Sequence, residues 1–277
     1  EDDTVFSAAK FFFAYGLGNA MTFPMAAGAS VILFSGRPTP DVAVQIIADE
    51  QPTVFCGVPT LYAAMVAHLD AKGVPETRLR RCISAGEALP ENVGKRWMQH
   101  MGVDILDGVG STEMLHIFLS NAPGDVVYGT SGVAVPGYDL RLVNENGEEA
   151  AVGELGELLV RCASSAASYW NKRSKSQETF EGAWTRTGDK YERREDGRYV
   201  YCGRTDDMFK VSGIWVSPFE VESALISHDA VLEAAVVAHT DEEGLEKPKA
   251  YIVLQDDQKA DLEETLKQHV KDSIGLW

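Results

Sequence analysis

The chain has 277 residues, 45% of them hydrophobic, with 42 acidic side chains against 25 basic ones and a formal net charge of −17. That length and apolar content predict a globular protein of roughly two domains at ~150 residues each, and the acidity argues against a nucleic-acid partner, because no segregated basic patch offsets the repulsion of phosphate. Four widely spaced cysteines, no leader-like start and no long apolar run predict reduced thiols, no membrane and a cytoplasmic protein. The chain opens on Glu1-Asp-Asp-Thr4 rather than methionine, and reads as an excised piece.

In chain order, Phe11, Phe12 and Phe13 read either as core or, with Gly16 and Gly18 flanking Tyr15, as the wall of a flat slot for a planar apolar molecule. Residues 31–34 read as a buried strand. Thr39 and Pro40 start a helix that turns Val42, Ile46 and Ile47 inward. A strand at 53–57, a helix at 59–69, a strand at 81–85 and a helix at 90–101 closed by Gly102 follow. The apolar run 103–106 then leads into Asp107-Gly-Val-Gly-Ser-Thr-Glu113. Repeated strand–helix alternation predicts an α/β fold with a mostly parallel, helix-covered sheet and ligand loops at the carboxyl ends of its strands.

Two stretches occupy such ends, Ser84-Ala-Gly-Glu87 and 107–113. The second offers glycines that admit backbone N–H groups to phosphate, hydroxyls on Ser111 and Thr112, and in Glu113 an acid for a hard cation. It also fits an ordinary turn opening a helix, with Ser111 or Thr112 as N-cap, and the residues alone leave both readings open.

After Asn121 glycine and proline become frequent and short alternating strands take over, at 138–143 and 157–162, with hairpin turns at Asn146-Gly147 and Asp196-Gly197. This predicts an α/β part at 1–122 and a β-rich part at 123–205. Beyond them a helix at 218–228, strands at 231–238 and 249–255 and a helix at 261–273 predict a small α+β domain over 206–277.

Six motifs follow one another in order: Phe12-Phe-Ala-Tyr-Gly-Leu-Gly-Asn19, Ser84-Ala-Gly-Glu87, 107–113, Gly153-Glu-Leu-Gly-Glu157, Thr187-Gly-Asp189, and Gly203-Arg-Thr-Asp-Asp207 with Lys210 and Gly213. Across nearly the whole chain this set resembles the adenylate-forming superfamily of acyl-CoA synthetases, luciferases and peptide-synthetase adenylation domains. The first motif, together with Asp107 to His116, looks most like the benzoate–CoA ligases and their 4-hydroxybenzoate relatives.

The resemblance implies ATP, Mg2+ and coenzyme A, with an aromatic acid activated to an acyl adenylate and passed to the CoA thiol. It implies that Thr112 contacts the α-phosphate, beside Ser111, and that Glu113 holds the metal. Asp189 and Arg204 would hold the ribose, and Gly86, Glu87 and Asp107 would border the adenine. Tyr15, Gly16, Ala85, Gly110, His116 and Ile117 would line the acid pocket. Asp206 or its neighbour Asp207 would be the hinge of the small domain, Lys210 would enter the site for thioester formation and Gly213 would let the pantetheine arm pass. Without the resemblance His116 reads as a core histidine, the two aspartates as a turn, and Lys210 as a surface residue in a hairpin.

A homodimer is implied by the relatives. The Gly-rich phosphate loop and the C-terminal catalytic lysine of the family pattern are not found in these 277 residues, so the resemblance implies little thioester formation by them alone. A peptide-synthetase module and a catalytically silent, nucleotide-binding paralogue are the alternative readings.

Overall fold

A computed structural model describes residues 2–211, 214–241, 245–254 and 262–275. The first part builds β1 (Thr4–Ser7), α1 (Ala14–Leu17), α2 (Phe23–Ala27), β2 (Ser30–Ile32), α3 (Pro40–Glu50), β3 (Val54–Gly57), α4 (Pro59–Lys72), β4 (Arg81–Ser84), α5 (Glu91–Met101), β5 (Ile105–Gly110), β6 (Ile117–Ser120) and β7 (Val133–Ala134). A π-helical turn, Gly18–Thr22, joins α1 to α2.

These strands form one seven-stranded sheet in the order β2-β1-β3-β4-β5-β6-β7. From β2 to β5 all neighbours are parallel, as the alternation predicts. The helices lie on it for the reason the sequence suggests: their apolar residues recur one helical turn apart. Leu61, Met65 and Leu69 of α4 and Val93, Trp97 and Met101 of α5 are all buried. They close a core with Phe6, Ile47, Phe55 and Tyr62, in which Trp97 meets Tyr62 edge to face at 4.8 Å.

Several expectations change. β1 and the helical stretch 14–27 are not foreseen by periodicity, and the strand expected at 31–34 is the shorter β2. The Phe triplet is not core: Phe12 is 79% exposed and its ring meets that of Phe13 tilted at 4.5 Å, in a turn whose next residues start α1. The sheet also runs past Asn121, because β6 pairs antiparallel with β5 and β7 antiparallel with β6.

A second sheet holds β8 (Asp139–Val143), β9 (Leu155–Arg161), β10 (Phe180–Glu181), β11 (Trp184–Arg193) and β12 (Tyr199–Arg204), with α6 (Arg173–Thr179) ahead of β10. All its pairings are antiparallel. Its core, Leu142, Leu158, Val160, Tyr191 and Tyr199, also takes in Met114 from the turn ahead of β6 and Phe118 and Leu119 from β6 itself.

The last part comprises the hairpin β13 (Phe209–Val211) and β14 (Ile214–Val216), α7 (Pro218–Ile226), the hairpin β15 (Val231–Thr240) and β16 (Glu246–Leu254), and α8 (Glu263–Ile274). Ser217 caps α7 by accepting from the Glu220 N–H at 3.1 Å. A third core, centred on Phe209, Val216, Leu225, Val231 and Leu266, fills this part.

Candidate functional site

The site is built where β3, β4 and β5 end. Tyr15, in α1, reaches under these ends, and its hydroxyl lies 3.0 Å from the Gly57 carbonyl and 3.1 Å from that of Ile83. The opposite side of the ring stacks on His116 at 5.5 Å, and Phe23 meets His116 edge to face at 4.7 Å. Gly18 makes that approach feasible: a Cβ there would stand 2.5 Å from the His116 ring. Gly16, expected to line the slot, instead faces the Lys10 carbonyl, 2.1 Å from where its Cβ would be, so its role is the tight fold-back of residues 10–16. Gly110 and Ile117 are paired across β5 and β6 beside His116, and Ala85 is buried just beyond Ile83. The expected acid-pocket residues other than Gly16 thus gather around one aromatic wall. Burial lowers the His116 pKa and outweighs the opposing hydrogen bond to the Tyr15 backbone, which leaves the imidazole neutral near pH 7, and its Nε2 has no partner among the described residues.

The stretch 107–113 is not one loop. Asp107 to Gly110 belong to β5, and the turn proper is Ser111 to Leu115. Ser111 Oγ accepts from the Met114 N–H at 3.3 Å, as an N-cap would, but the chain goes on to β6 and no helix follows. Thr112 is exposed and Glu113 half-buried. Leu115 carries a positive φ of 72°, uncommon for a branched side chain, so the turn is held rather than relaxed.

Glu113 is held by a residue that sequence reasoning missed. Tyr169 donates its hydroxyl to Glu113 Oε1 at 2.6 Å. Burial raises the Glu113 carboxyl, but Tyr169, the neighbouring backbone, Ser111 and the positive charge of Arg204 outweigh it, and its pKa ends below the ordinary value. Tyr169 also lines a cavity of about 600 Å3 with Ser168, Lys172, Arg173, Gln177 and Phe180. A hollow of about 190 Å3 between Arg80, Met98 and Gly124 lies at the amino ends of β4 and β5, away from these groups.

Asp107 lies below the turn, 6% exposed, with one carboxylate oxygen unpartnered and the other 3.4 Å from the Leu89 N–H. Burial pushes its pKa up to about 7, a rise that the neighbouring Ser84 hydroxyl and the Leu89 and Gly108 backbone only partly offset. A second residue that sequence reasoning missed, Asn121, secures this region: its side chain donates to the Thr130 carbonyl at 2.7 Å and accepts from the Val127 N–H at 3.0 Å. Gly86 and Glu87 are exposed at the end of β4.

On the second sheet, Thr187, Gly188 and Asp189 sit where the β11–β9 register shifts, and Gly188 takes a positive φ of 73°. This bulge turns Asp189 toward Arg204, which bonds it at 2.9 Å from the neighbouring strand. Burial raises the Asp189 pKa and Arg204 opposes the rise. The fully buried Tyr191 is bonded to Ser131 at 3.2 Å, and burial raises its hydroxyl pKa well above the ordinary value, with the charges of Asp189 and Asp107 adding to the rise. Asp206 lies in the turn between β12 and β13. Lys210 is in β13; its side chain and Gly213 lie outside the described residues.

Near Glu113 the donors are oxygens: one carboxylate and the hydroxyls of Ser111 and Thr112. No cluster of three His, Cys, Asp or Glu side chains occurs among the described residues. Such a set fits a hard cation held by one carboxylate and completed by phosphate oxygens, the way Mg2+ is commonly bound, rather than a closed protein cage. Among the described residues no helix is long and apolar enough to cross a membrane.

Comparison with known proteins places the chain among a family of enzymes. The model of the AMP-binding enzyme family matches residues 1–170, and that of the AMP-binding enzyme C-terminal domain matches residues 220–277. The chain is 60% identical over 280 residues to a benzoate–CoA ligase of Thauera aromatica, covering 100% of the chain and 53% of the relative. It is 59% identical over 283 residues to a 4-hydroxybenzoate–CoA/benzoate–CoA ligase of Rhodopseudomonas palustris, covering 100% and 52%. The crystal structure of the anthranilate CoA ligase AuaEII in complex with anthranoyl-AMP superposes with a TM-score of 0.94 at 44% identity, over 100% of this chain and 54% of that one. The chain therefore spans about half the length of these relatives. By its sequence and its fold, the chain belongs to the AMP-binding enzyme family.

Proposed function

We propose that the protein is an ATP-dependent aryl-carboxylate CoA ligase acting on benzoate or a hydroxybenzoate, of which these residues form the nucleotide and acid sites. The carrying observation is the shared turn: Glu113 and the exposed Thr112 stand within four residues of His116, whose ring closes the aromatic wall with Tyr15 and Phe23. An acid lying flat against that wall presents its carboxylate beside the groups that would hold the phosphates.

In the first half-reaction a carboxylate oxygen of the acid attacks the α-phosphorus of ATP; a P–O bond forms, the bond to the β-phosphate oxygen breaks, and pyrophosphate leaves. Thr112 and Ser111 would donate to the α-phosphate, and Glu113 would hold the Mg2+. When bound, that ion offsets phosphate charge. Asp189 and Arg204 hold the ribose, and Asp107, with Gly86 and Glu87, borders the adenine. In the second half-reaction the CoA thiolate attacks the acyl carbon and AMP departs with the electrons of the broken C–O bond. Here the small domain turns at Asp206, Lys210 enters the site and Gly213 admits the pantetheine arm. The chemistry asks for positioning and charge stabilisation more than for a covalent catalyst, which the arrangement supports. A cytoplasmic homodimer belongs to the same reading; four free cysteines suit a reducing compartment.

Pyrophosphate release by the intact protein, measured with benzoate, 4-hydroxybenzoate and aliphatic acids, tests the reading. Aromatic acids are expected to drive release and CoA to convert the product to thioester. Release that ignores the aromatic acids, or favours aliphatic ones, would overturn it.

A further inference from the structure

The segment between β9 and α6 is fastened to the turn that carries Glu113 at four points. The Cys162 thiol stands 3.5 Å from the Met114 sulfur, and Ser164 Oγ donates to the Met114 carbonyl at 2.9 Å. The Ala166 N–H donates to the Glu113 carbonyl at 2.7 Å, and the Tyr169 hydroxyl donates to the Glu113 carboxylate at 2.6 Å. One segment thus holds both the backbone and the side chain of the same residue.

Tyr169 is itself fixed from the other side. Its N–H donates to Ser176 Oγ at 2.9 Å, and its ring packs on Phe180 at 5.2 Å. The phenol is therefore aimed by α6 and β10, elements that contribute no phosphate or acid contact in the proposed mechanism. Neither structural economy nor core packing requires a hydrogen bond between a half-buried tyrosine and a half-buried glutamate at the rim of a turn. A carboxylate on a turn with a positive-φ neighbour would otherwise sample several rotamers, and each must be abandoned before a cation is bound.

We propose that Tyr169 is a positioning residue that pre-orients the Glu113 carboxylate for the divalent cation of the nucleotide, one carboxylate oxygen taking the phenol and the other serving the metal. This rests on the reading of Glu113 as the metal-holding residue. Partners that orient metal-binding side chains typically contribute about 10- to 100-fold in metal affinity when lost. The effect expected here is specific: Tyr169 tunes the contribution of the metal to nucleotide binding and leaves the metal-free nucleotide contacts at Asp189, Arg204 and Asp107 alone.

The test is calorimetric titration of the intact protein with ATP in excess EDTA and in saturating MgCl2, and with AMP in EDTA. Tyr169→Phe keeps the ring against Phe180 and removes only the hydroxyl. It is expected to cut the magnesium-dependent gain in ATP affinity by about 10-fold, with AMP affinity in EDTA within about twofold of wild type. In a Glu113→Gln background the same substitution is expected to add no further loss, because its route runs through that carboxylate. A wild-type magnesium gain in Tyr169→Phe overturns the inference, as does an equal loss of AMP affinity, which marks a structural role. Losses that simply add in the double variant overturn it too. A wild-type protein without magnesium-dependent ATP binding, or a Glu113→Gln protein that keeps the whole gain, overturns the metal reading of Glu113 itself and this inference with it.

Discussion

Asp107→Asn is the sharpest perturbation the site offers. The carboxyl is 6% exposed with one oxygen unpartnered, and burial lifts its pKa from 3.8 to about 7. Between those values the folded chain holds a proton that the unfolded chain has released, so the group's contribution to stability falls as pH rises through the window. A difference of about three units at ~1.4 kcal/mol each makes the charged carboxylate cost on the order of 4 kcal/mol above pH 7, and nothing below pH 4. Asparagine cannot ionise. Any fixed cost of its amide shifts the whole curve without changing its slope. Urea unfolding of both proteins from pH 4 to 8, followed by the fluorescence of the fully buried Trp97, should show the variant gaining on wild type by about that amount as pH rises. A difference that stays flat across the window would refute the assignment of Asp107 as a carboxyl strained by burial.

Three further outcomes follow from contacts already described. Gly18→Ala forces a Cβ to 2.5 Å from the His116 ring and should cost about 1–3 kcal/mol of stability while weakening benzoate affinity; thermal unfolding and benzoate titration that both match wild type would show that the His116 ring yields freely. Tyr15→Phe removes the hydroxyl from the Gly57 and Ile83 carbonyls and should destabilise the first domain by about 1–2 kcal/mol in urea titrations. Arg204→Ala strips Asp189 of its partner and should weaken AMP binding by about tenfold; unchanged AMP affinity by calorimetry would remove Arg204 from the ribose site.

Much of the first domain was legible because its signals are local. Thr39-Pro40 marks a helix start, the spacing of Leu61, Met65 and Leu69 marks a face, and both recur in the structure. β1 was not legible, since four residues ahead of an aromatic cluster carry neither alternation nor turn signals. The antiparallel β6 and β7 were missed because periodicity reports which face a strand buries and is silent on its direction. Within the site, Asp107, Asp189 and His116 were reachable through motifs. Tyr169 was not, because it meets Glu113 across 56 residues and sits in a run of serines and alanines with no spacing of its own. The only cue was an aromatic pair, Tyr169-Trp170, in an otherwise small-residue loop. Gly16 and Gly18 show the converse limit: both read as room for a ligand, but one packs on backbone and the other on a ring. A glycine marks a close approach without saying by what.

Arg204 ends β12, bonds Asp189 across the bulge, and passes directly into the turn 205–207. Beyond that turn begins a third core that shares no residue with the second. Arg204, the partner of Asp189, thus stands two residues ahead of Asp206, the proposed hinge. If the small part turns at Asp206 as proposed, that turn loads the Asp189–Arg204 bridge, and the sugar end of a nucleotide held there would feel which way that part faces. On the proposed function, departure of AMP and reversal of the small part would then be one mechanical event rather than two successive ones.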